Sequence, residues 1–222
     1  MVSETGSTNA DLLAAAATGA PDHSVLVAAH QTSGRGRLDR VWEAPPGANL
    51  LVSLLFRHLP EHTHELTQRV ALAAAHAVVA ITGLTPTLKW PNDLLLDGGK
   101  LAGVLAQSGT AAGRIDHVVV GIGLNVGWAP AGAARLGGRI HPLEVLRELL
   151  VSFDALPADV FPLYRAQLAT LGQPVRIEQH TGSIEGRALD VSADGRLTVI
   201  DDGAIRHLVD TGDVVHLKPR QE

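Results

Sequence analysis

Residues 88–106 read LKWPNDLLLDGGKLAGVLA, and the way this stretch turns back on itself decides the fold. Leu88 ends a short strand, and Lys89-Trp90-Pro91-Asn92-Asp93 then sets a lysine, an amide and a carboxylate on one tight turn. Leu94-Leu95-Leu96 is a second short strand, Asp97-Gly98-Gly99 a hairpin turn, and Lys100–Ala106 the returning strand. Ile115–Ile122 follows as another. Upstream, SVLVAAH (24–30) and NLLVSLLF (49–56) read as strands, the latter too continuously apolar to face water. Between them lies a loop with three arginines in six residues, Gly34-Arg35-Gly36-Arg37-Leu38-Asp39-Arg40-Val41-Trp42.

Helices fill the rest of the first 171 residues. Ser7-Thr8-Asn9 precedes the Ala/Leu-rich Ala10–Ala17, so a helix capped by a short polar side chain is predicted there. Leu66, Val70, Ala73, Ala74, Ala77, Val78 and Ile81 recur at helical spacing within Thr63–Ile81. Pro142–Phe153 and Val160–Leu171 are two more helices. Strands and helices in this irregular order predict an α+β fold and not a regular βα alternation. Composition shifts at Gly172-Gln173-Pro174. Five short alternating runs follow, Val175–Gln179, Ser183–Val191, Leu197–Ile200, Ile205–Val209 and Val214–Leu217, which read as a small barrel-like β domain. The expected division is therefore 1–171 and 172–222.

Composition narrows the function. With 45% hydrophobic residues but only 3% aromatic, the core is built from Leu, Val, Ile and Ala. No cysteine is present, which excludes disulfides, thiolate-ligated zinc and cysteine nucleophiles. The N-terminus lacks the pattern of a secretory signal, and no apolar run is long enough for a membrane span. A cytoplasmic protein is expected. A net charge of −5 argues against a nucleic-acid partner, which needs a broad basic face. Cations concentrated against that background point to a local anion, nucleotide phosphates first.

Standard phosphate fingerprints nevertheless fail. Gly34 and Gly121 each begin a G-x-G but carry Asp39 and Val126 where the third glycine belongs, and Gly99-Lys100 lacks the rest of a P-loop. The arginine loop is suited to phosphate on its own terms, through planar bidentate donors and glycines that let backbone approach a ligand. Lys100 points either into a cleft or into water. Asp93 either binds Mg²⁺ or caps its turn. Asn125, in an apolar run, must pair with backbone or with a ligand. His58, His62 and His64 form an H-x3-H-x-H cluster with no further donor nearby to complete a metal geometry. Ser7 has no local base to make it a nucleophile.

Taken in order, seven segments resemble the biotin–protein ligases: Gly6-Ser7-Thr8-Asn9, Gln31–Arg37, Trp42, Gly47-Ala48-Asn49-Leu50, Lys89–Asp93, Lys100–Leu105 and Gly121-x-Gly123-x-Asn125-Val126. The resemblance implies a catalytic domain of the class II aminoacyl-tRNA-synthetase-like, biotin–lipoate ligase type, followed by an SH3-like barrel. It implies an ATP-dependent, Mg²⁺-assisted ligase that makes biotinyl-5′-AMP. The biotin then passes to a lysine on the biotin carboxyl carrier domain of a biotin-dependent carboxylase. Lys100 and Arg37 match the family's catalytic positions. Ser7, Thr8, Asn9, Gln31, Gly34, Arg35, Gly36, Arg37, Lys100 and Gly103 match its biotin-binding positions. Arg37, Arg40, Trp42, Lys89, Asn92, Lys100, Asn125 and Val126 match those around the nucleotide, and Asp93 the Mg²⁺-associated carboxylate.

Three places depart from the family pattern. Asp39 replaces a glycine in the loop, Gln107 replaces an acidic residue, and Ala129–Gly138 lacks the usual Thr-Ser-Leu. Only six residues precede Ser7, so the chain resembles the monofunctional members and is expected not to act as a DNA-binding repressor. A homodimer is compatible with the family. The sister lipoate ligases are the competing enzyme class, and a non-catalytic biotin- or nucleotide-binding module the competing non-enzyme.

Overall fold

A computed structural model describes residues 1–38, 40–179, 182–210 and 212–217; Asp39 lies outside the described residues. The N-terminal portion is a seven-stranded sheet in the order β1-β2-β3-β7-β6-β5-β4. Its strands are β1 Val2–Thr5, β2 Val25–Gln31, β3 Leu50–Phe56, β4 Thr87–Lys89, β5 Asp93–Leu96, β6 Gly99–Ala111 and β7 Arg114–Leu124. β1 pairs parallel to β2, and every other pair is antiparallel. The hairpins read from the sequence are present, with Asp97 and Gly98 both at positive φ in the first.

Side-chain alternation divides this sheet into two unlike faces. Val52, Leu54, Phe56, Val118, Val120 and Ile122 meet the buried stripe of α2, His64–Thr82, and the helix α3, Pro142–Ala155, in the main core. The opposite face is only partly covered. There α1, Thr8–Ala17, packs Leu12 and Ala16 on Leu55 and Val119. The rest of that face is left open for a ligand.

Three sequence expectations change in detail. β1 is absent from the sequence reading, because its exposed residues carry no apolar pattern and it is held by pairing to β2. α1 begins at Thr8, two residues before the expected Ala10, and its N-cap Ser7 makes no side-chain capping hydrogen bond. The helix predicted over 160–171 is shorter, α4 Phe161–Gln167, because the chain leaves helical geometry at Leu168, which bridges Leu88.

The C-terminal portion is a five-stranded antiparallel sheet, β11-β10-β9-β8-β12. It comprises β8 Pro174–Gln179, β9 Gly182–Val191, β10 Leu197–Ile200, β11 Arg206–Val209 and β12 Asp213–His216. The turn at 192–196 is held from two sides: Trp90 Nε1 donates to Gly195 O at 2.8 Å, and His64 Nε2 lies 2.8 Å from Ala193 O. Thr170 Oγ1 accepts from Trp90 N at 3.0 Å and lies 3.3 Å from His216 Nε2. Burial, the largest influence on both rings, pulls His64 and His216 below the ordinary histidine value of 6.5. The unfolded chain therefore binds protons that the folded one refuses, so stability is full above that value and falls as pH drops below it. Thermal midpoints should decrease between about pH 7.5 and about pH 5.5, and less so in His64→Gln. An unchanged slope in that variant would remove His64 from the effect.

Candidate active site

The open face of the sheet forms the floor of a cavity of about 470 Å³. β7 reads Val119-Val120-Gly121-Ile122-Gly123-Leu124, with Val120, Ile122 and Leu124 in the main core and, on the other face beyond Val119 under α1, the two glycines lining the cavity. The glycines are there for space. A Cβ on Gly121 would lie 2.2 Å from Asn9 Oδ1, and one on Gly123 would lie 2.3 Å from Trp42 Cε2. Gly103 pairs with Gly123 across β6 and β7, and a Cβ there would meet Trp42 and Lys100 at 3.2 Å. The incomplete glycine motif at 121–126 thus paves a floor for side chains and is not a phosphate loop.

One end of the cavity is a fixed hydrogen-bonding network. Gln31 Oε1 accepts from Thr8 N at 2.7 Å and from Thr8 Oγ1 at 3.0 Å. Ser53 Oγ, fully buried, lies 2.7 Å from Thr8 Oγ1 and 2.6 Å from Asn9 Oδ1. Asn9 Nδ2 donates to Leu105 O at 3.1 Å and to Gln107 Oε1 at 3.0 Å. Gln107, the departure noted above, thereby accepts from the asparagine as a carboxylate could. The bonds from Thr8 hold the Gln31 carbonyl oxygen, and Gln31 itself lines the cavity.

The other end is cationic. Lys100 Nζ stands 2.6 Å from Asp93 Oδ1 and 5.7 Å from the centre of the Trp42 ring. The Trp42 indole Nε1 is buried and without a partner among the described residues. Arg37 Nη1 donates to Asn92 Oδ1 at 3.3 Å. Burial draws the Arg37 guanidinium below its ordinary value, while the Asp93 and Asp213 carboxylates push it back up. Arg40 forms an ion pair with Asp213, so the start of β12 closes over the arginine loop.

Ser7, Thr8, Asn9, Gln31, Arg35, Gly36, Arg37, Arg40, Trp42, Asn92, Asp93, Lys100, Gly103 and Asn125 all line this cavity. Gly34, Lys89 and Val126 do not. A Cβ on Gly34 would sit 2.3 Å from Trp42 O, so its role is to let the loop close on itself. The Val126 backbone N–H is spent on Asn49 Oδ1 at 3.0 Å. Asn125 resolves its alternatives toward the protein: Nδ2 donates to Ala134 O at 3.0 Å and Lys100 O at 3.3 Å, and Oδ1 accepts from Asn49 Nδ2 at 3.2 Å. Among the described residues no group of three metal-ligating side chains exists. His62 stacks on His64, which packs on the C-terminal sheet.

Sequence reasoning missed Ser53 and Asp213, and it quoted Gly121 and Gly123 within a family segment without giving them a place in the site. Ser53 carried a readable signal, as the one hydroxyl in an otherwise apolar strand.

Known proteins share this architecture. The biotin/lipoate A/B protein ligase family profile matches residues 5–125, and the biotin protein ligase C-terminal domain profile matches 170–217. A Mycobacterium tuberculosis biotin–[acetyl-CoA-carboxylase] ligase is 38% identical, over 98% of this chain and 88% of the relative. A Paracoccus denitrificans protein of the same name is 35% identical over 79% of this chain and 77% of its own length. In structure, an Aquifex aeolicus biotin protein ligase solved with biotin and ATP superposes with a TM-score of 0.79, covering 97% of both chains at 24% identity. That last likeness establishes the fold, a mixed α/β sheet with an SH3-like C-terminal sheet. From the profiles and the two sequence relatives together, the chain belongs to the biotin/lipoate A/B protein ligase family.

Proposed function

We propose that the chain is a biotin–[biotin carboxyl carrier protein] ligase. The observation that carries this is a single cavity lined both by the uncharged network around Thr8 and Gln31 and by Lys100, Arg37 and Arg40. A neutral, hydrogen-bonding end suits the ureido ring of biotin, and the cationic end suits a triphosphate. A carboxylate oxygen of biotin attacks the α-phosphorus of ATP, the bond to the bridging oxygen breaks, and pyrophosphate leaves with the electron pair. Two anions have to approach each other, so the residues act by positioning and charge neutralisation. Lys100 lies where it can touch both anions. Arg37 and Arg40 exchange their protein partners for phosphate oxygens.

In the second step an acceptor lysine amine attacks the acyl carbon, AMP leaves, and the amine proton passes to solvent. The Arg35–Arg40 segment over the adenylate excludes water from this hydrolysable anhydride.

A metal fits only as part of the nucleotide. The cavity offers Asp93 near the lysine, already paired with it, and Mg²⁺ takes few protein carboxylates plus phosphate oxygens. Mg²⁺ bound to the triphosphate would neutralise part of its charge. We read Asp93 as holding Lys100 in place. Asp93→Asn is expected to slow adenylate formation by about tenfold and to leave the Mg²⁺ concentration for half-activation within about twofold. A large shift in that concentration would make Asp93 a metal ligand instead.

The test of the function is ATP–pyrophosphate exchange with biotin, lipoate, octanoate or no acid. Exchange with biotin alone is expected. Exchange with lipoate would move the chain to the sister enzymes, and tight biotin binding without exchange would make it a binding module.

A further inference from the structure

Two asparagine side chains meet in the interior beside Lys100. Asn49, immediately before β3, is 2% exposed, and Asn125, immediately after β7, is 1% exposed. Asn125 lines the active-site cavity and Asn49 does not. The orientation of both amides is dictated by backbone groups. Asn49 Oδ1 accepts from Val126 N at 3.0 Å and from Trp128 N at 3.2 Å, so its Nδ2 has to face Asn125 Oδ1, 3.2 Å away. Asn125 Nδ2 then points the other way and donates to Ala134 O at 3.0 Å and to Lys100 O at 3.3 Å. Reversing either amide would set oxygen against oxygen or N–H against N–H.

The amides hold a segment with no regular structure of its own. Among the described residues, 125–141 form no helix or strand. Pro130 and Ala133 of this segment line the cavity. Its course follows single backbone bonds: Ala134 N to Lys100 O, Leu136 N to Asn125 O, Gly137 N to Val126 O and Gly127 N to Ala48 O. It lies so close to β6 that a Cβ on Gly99 would come within 2.9 Å of Ala134 N. Lys100 itself pairs with Leu95, just past the register shift between Leu94 and Leu95, where the β5–β6 ladder is irregular. Its carbonyl oxygen accepts from Ala134 N and from Asn125 Nδ2. The backbone that carries the Lys100 ammonium is thus tied to the buried pair.

We propose that Asn49 is a positioning residue for the reaction: through Asn125 it sets the backbone of Lys100, and with it the 127–137 wall of the cavity, while touching no substrate itself. The inference rests on the ligase reading, in which Lys100 has to reach the biotin carboxylate and the α-phosphate at once. An apolar side chain could fill the same space, but it would strand two buried N–H groups and the Asn125 oxygen. Asparagine accepts at one end and donates at the other, which is what this place requires. Among the described residues, the uncharged network around Thr8, Asn9, Gln31 and Ser53 shares no hydrogen bond with the pair. Its grip on biotin should therefore survive a change at Asn49.

The experiment compares Asn49→Ala and Asn49→Asp with wild type, in the full-length protein, by biotin-dependent pyrophosphate exchange and by calorimetric titration with biotin. Asn49→Ala is expected to lower kcat for exchange about ten- to a hundredfold, the range for displacing a reacting group by up to about 1 Å. KM for biotin should stay within about twofold, and biotin should bind at the wild-type stoichiometry. A binding stoichiometry that falls in proportion to the rate would mean a partly unfolded protein, and would overturn the proposal. In a Lys100→Ala background the same change should cost less than about threefold, because both act through one ammonium. Fully additive losses would overturn the proposal too. Asn49→Asp keeps an acceptor for Val126 and Trp128, and it donates to Asn125 only while protonated. Burial raises such a carboxyl, so the rate of this variant relative to wild type should fall between about pH 6 and about pH 9. A ratio within about twofold of unity at the upper end would show that the bond to Asn125 carries nothing, and the proposal would fall. Absence of biotin-dependent exchange in wild type would sink the ligase reading and this inference with it. Exchange intact in wild type and in Asn49→Ala would sink the inference alone.

Discussion

Lys100→Ala is expected to lower biotin-dependent ATP–pyrophosphate exchange by about 10²- to 10³-fold, the loss seen when one preorganised donor to a developing charge is removed. The argument is geometric. Lys100 is the second residue of β6, just after the Asp97-Gly98 turn, where the register shift between Leu94 and Leu95 marks an irregular stretch of the β5–β6 pairing. Its Nζ is fixed by Asp93 on the neighbouring strand and stands over the Trp42 ring, while its side chain remains 40% exposed to the cavity. A cation so placed is available to anions without first being dug out of the core. Because it is not buried, its removal should cost little stability beyond stranding Asp93. Lys100→Gln, which keeps a donor for that carboxylate, should fold like wild type and still fail in exchange. The loss should fall on kcat more than on KM for biotin, since the uncharged network that grips the ring is untouched. Exchange within about fivefold of wild type in both variants would take Lys100 out of the chemistry.

Much of this site is legible in the chain because its local segments carry their own signals. The arginine loop is visible from cation density against a net negative background, and Lys100 from its place after a glycine turn. The apolar run of β3 and the helical stripe of α2 report burial directly. What was not legible depends on residues brought together from far apart. Arg40 and Asp213 are 173 positions apart, and nothing near Asp213 distinguishes it from a turn aspartate. Trp90 sits inside the Lys89–Asp93 motif, yet its indole reaches the other way and anchors the C-terminal turn at Gly195. One short motif therefore serves two tasks, with Asn92 and Asp93 facing the cavity and Trp90 fastening the second sheet. Gly121 and Gly123 fail as a phosphate motif and enter only as part of a family segment, with no task of their own. Their purpose appears only when Asn9 and Trp42 are placed above them.

That placement leads to the second large effect, at a residue that touches no charge. Gly121→Ala is expected to raise KM for biotin by roughly thirtyfold, corresponding to about 2 kcal/mol within the usual range for overpacking a tight site. The added methyl would lie 2.2 Å from Asn9 Oδ1 and 2.9 Å from Asn9 Cγ, so the asparagine has to move. Asn9 cannot move alone. It contacts Ser53, which contacts Thr8, which in turn fixes the Gln31 carbonyl oxygen. Its amine is also bound to Leu105 and Gln107 on the next strand. Displacing it breaks the uncharged end of the cavity as a unit, while Lys100, Arg37 and Arg40 keep their positions. The main-core face of β7 is formed by Val120, Ile122 and Leu124, which the change does not reach, so cooperative unfolding should persist. Adding Asn9→Ala in the same chain makes room for the methyl. If the clash is the cause, the double variant should bind biotin no worse than Asn9→Ala alone, because the two effects share one path. Fully additive losses would mean that Gly121 acts through the strand backbone and not through Asn9, and the steric account of this floor would then be wrong.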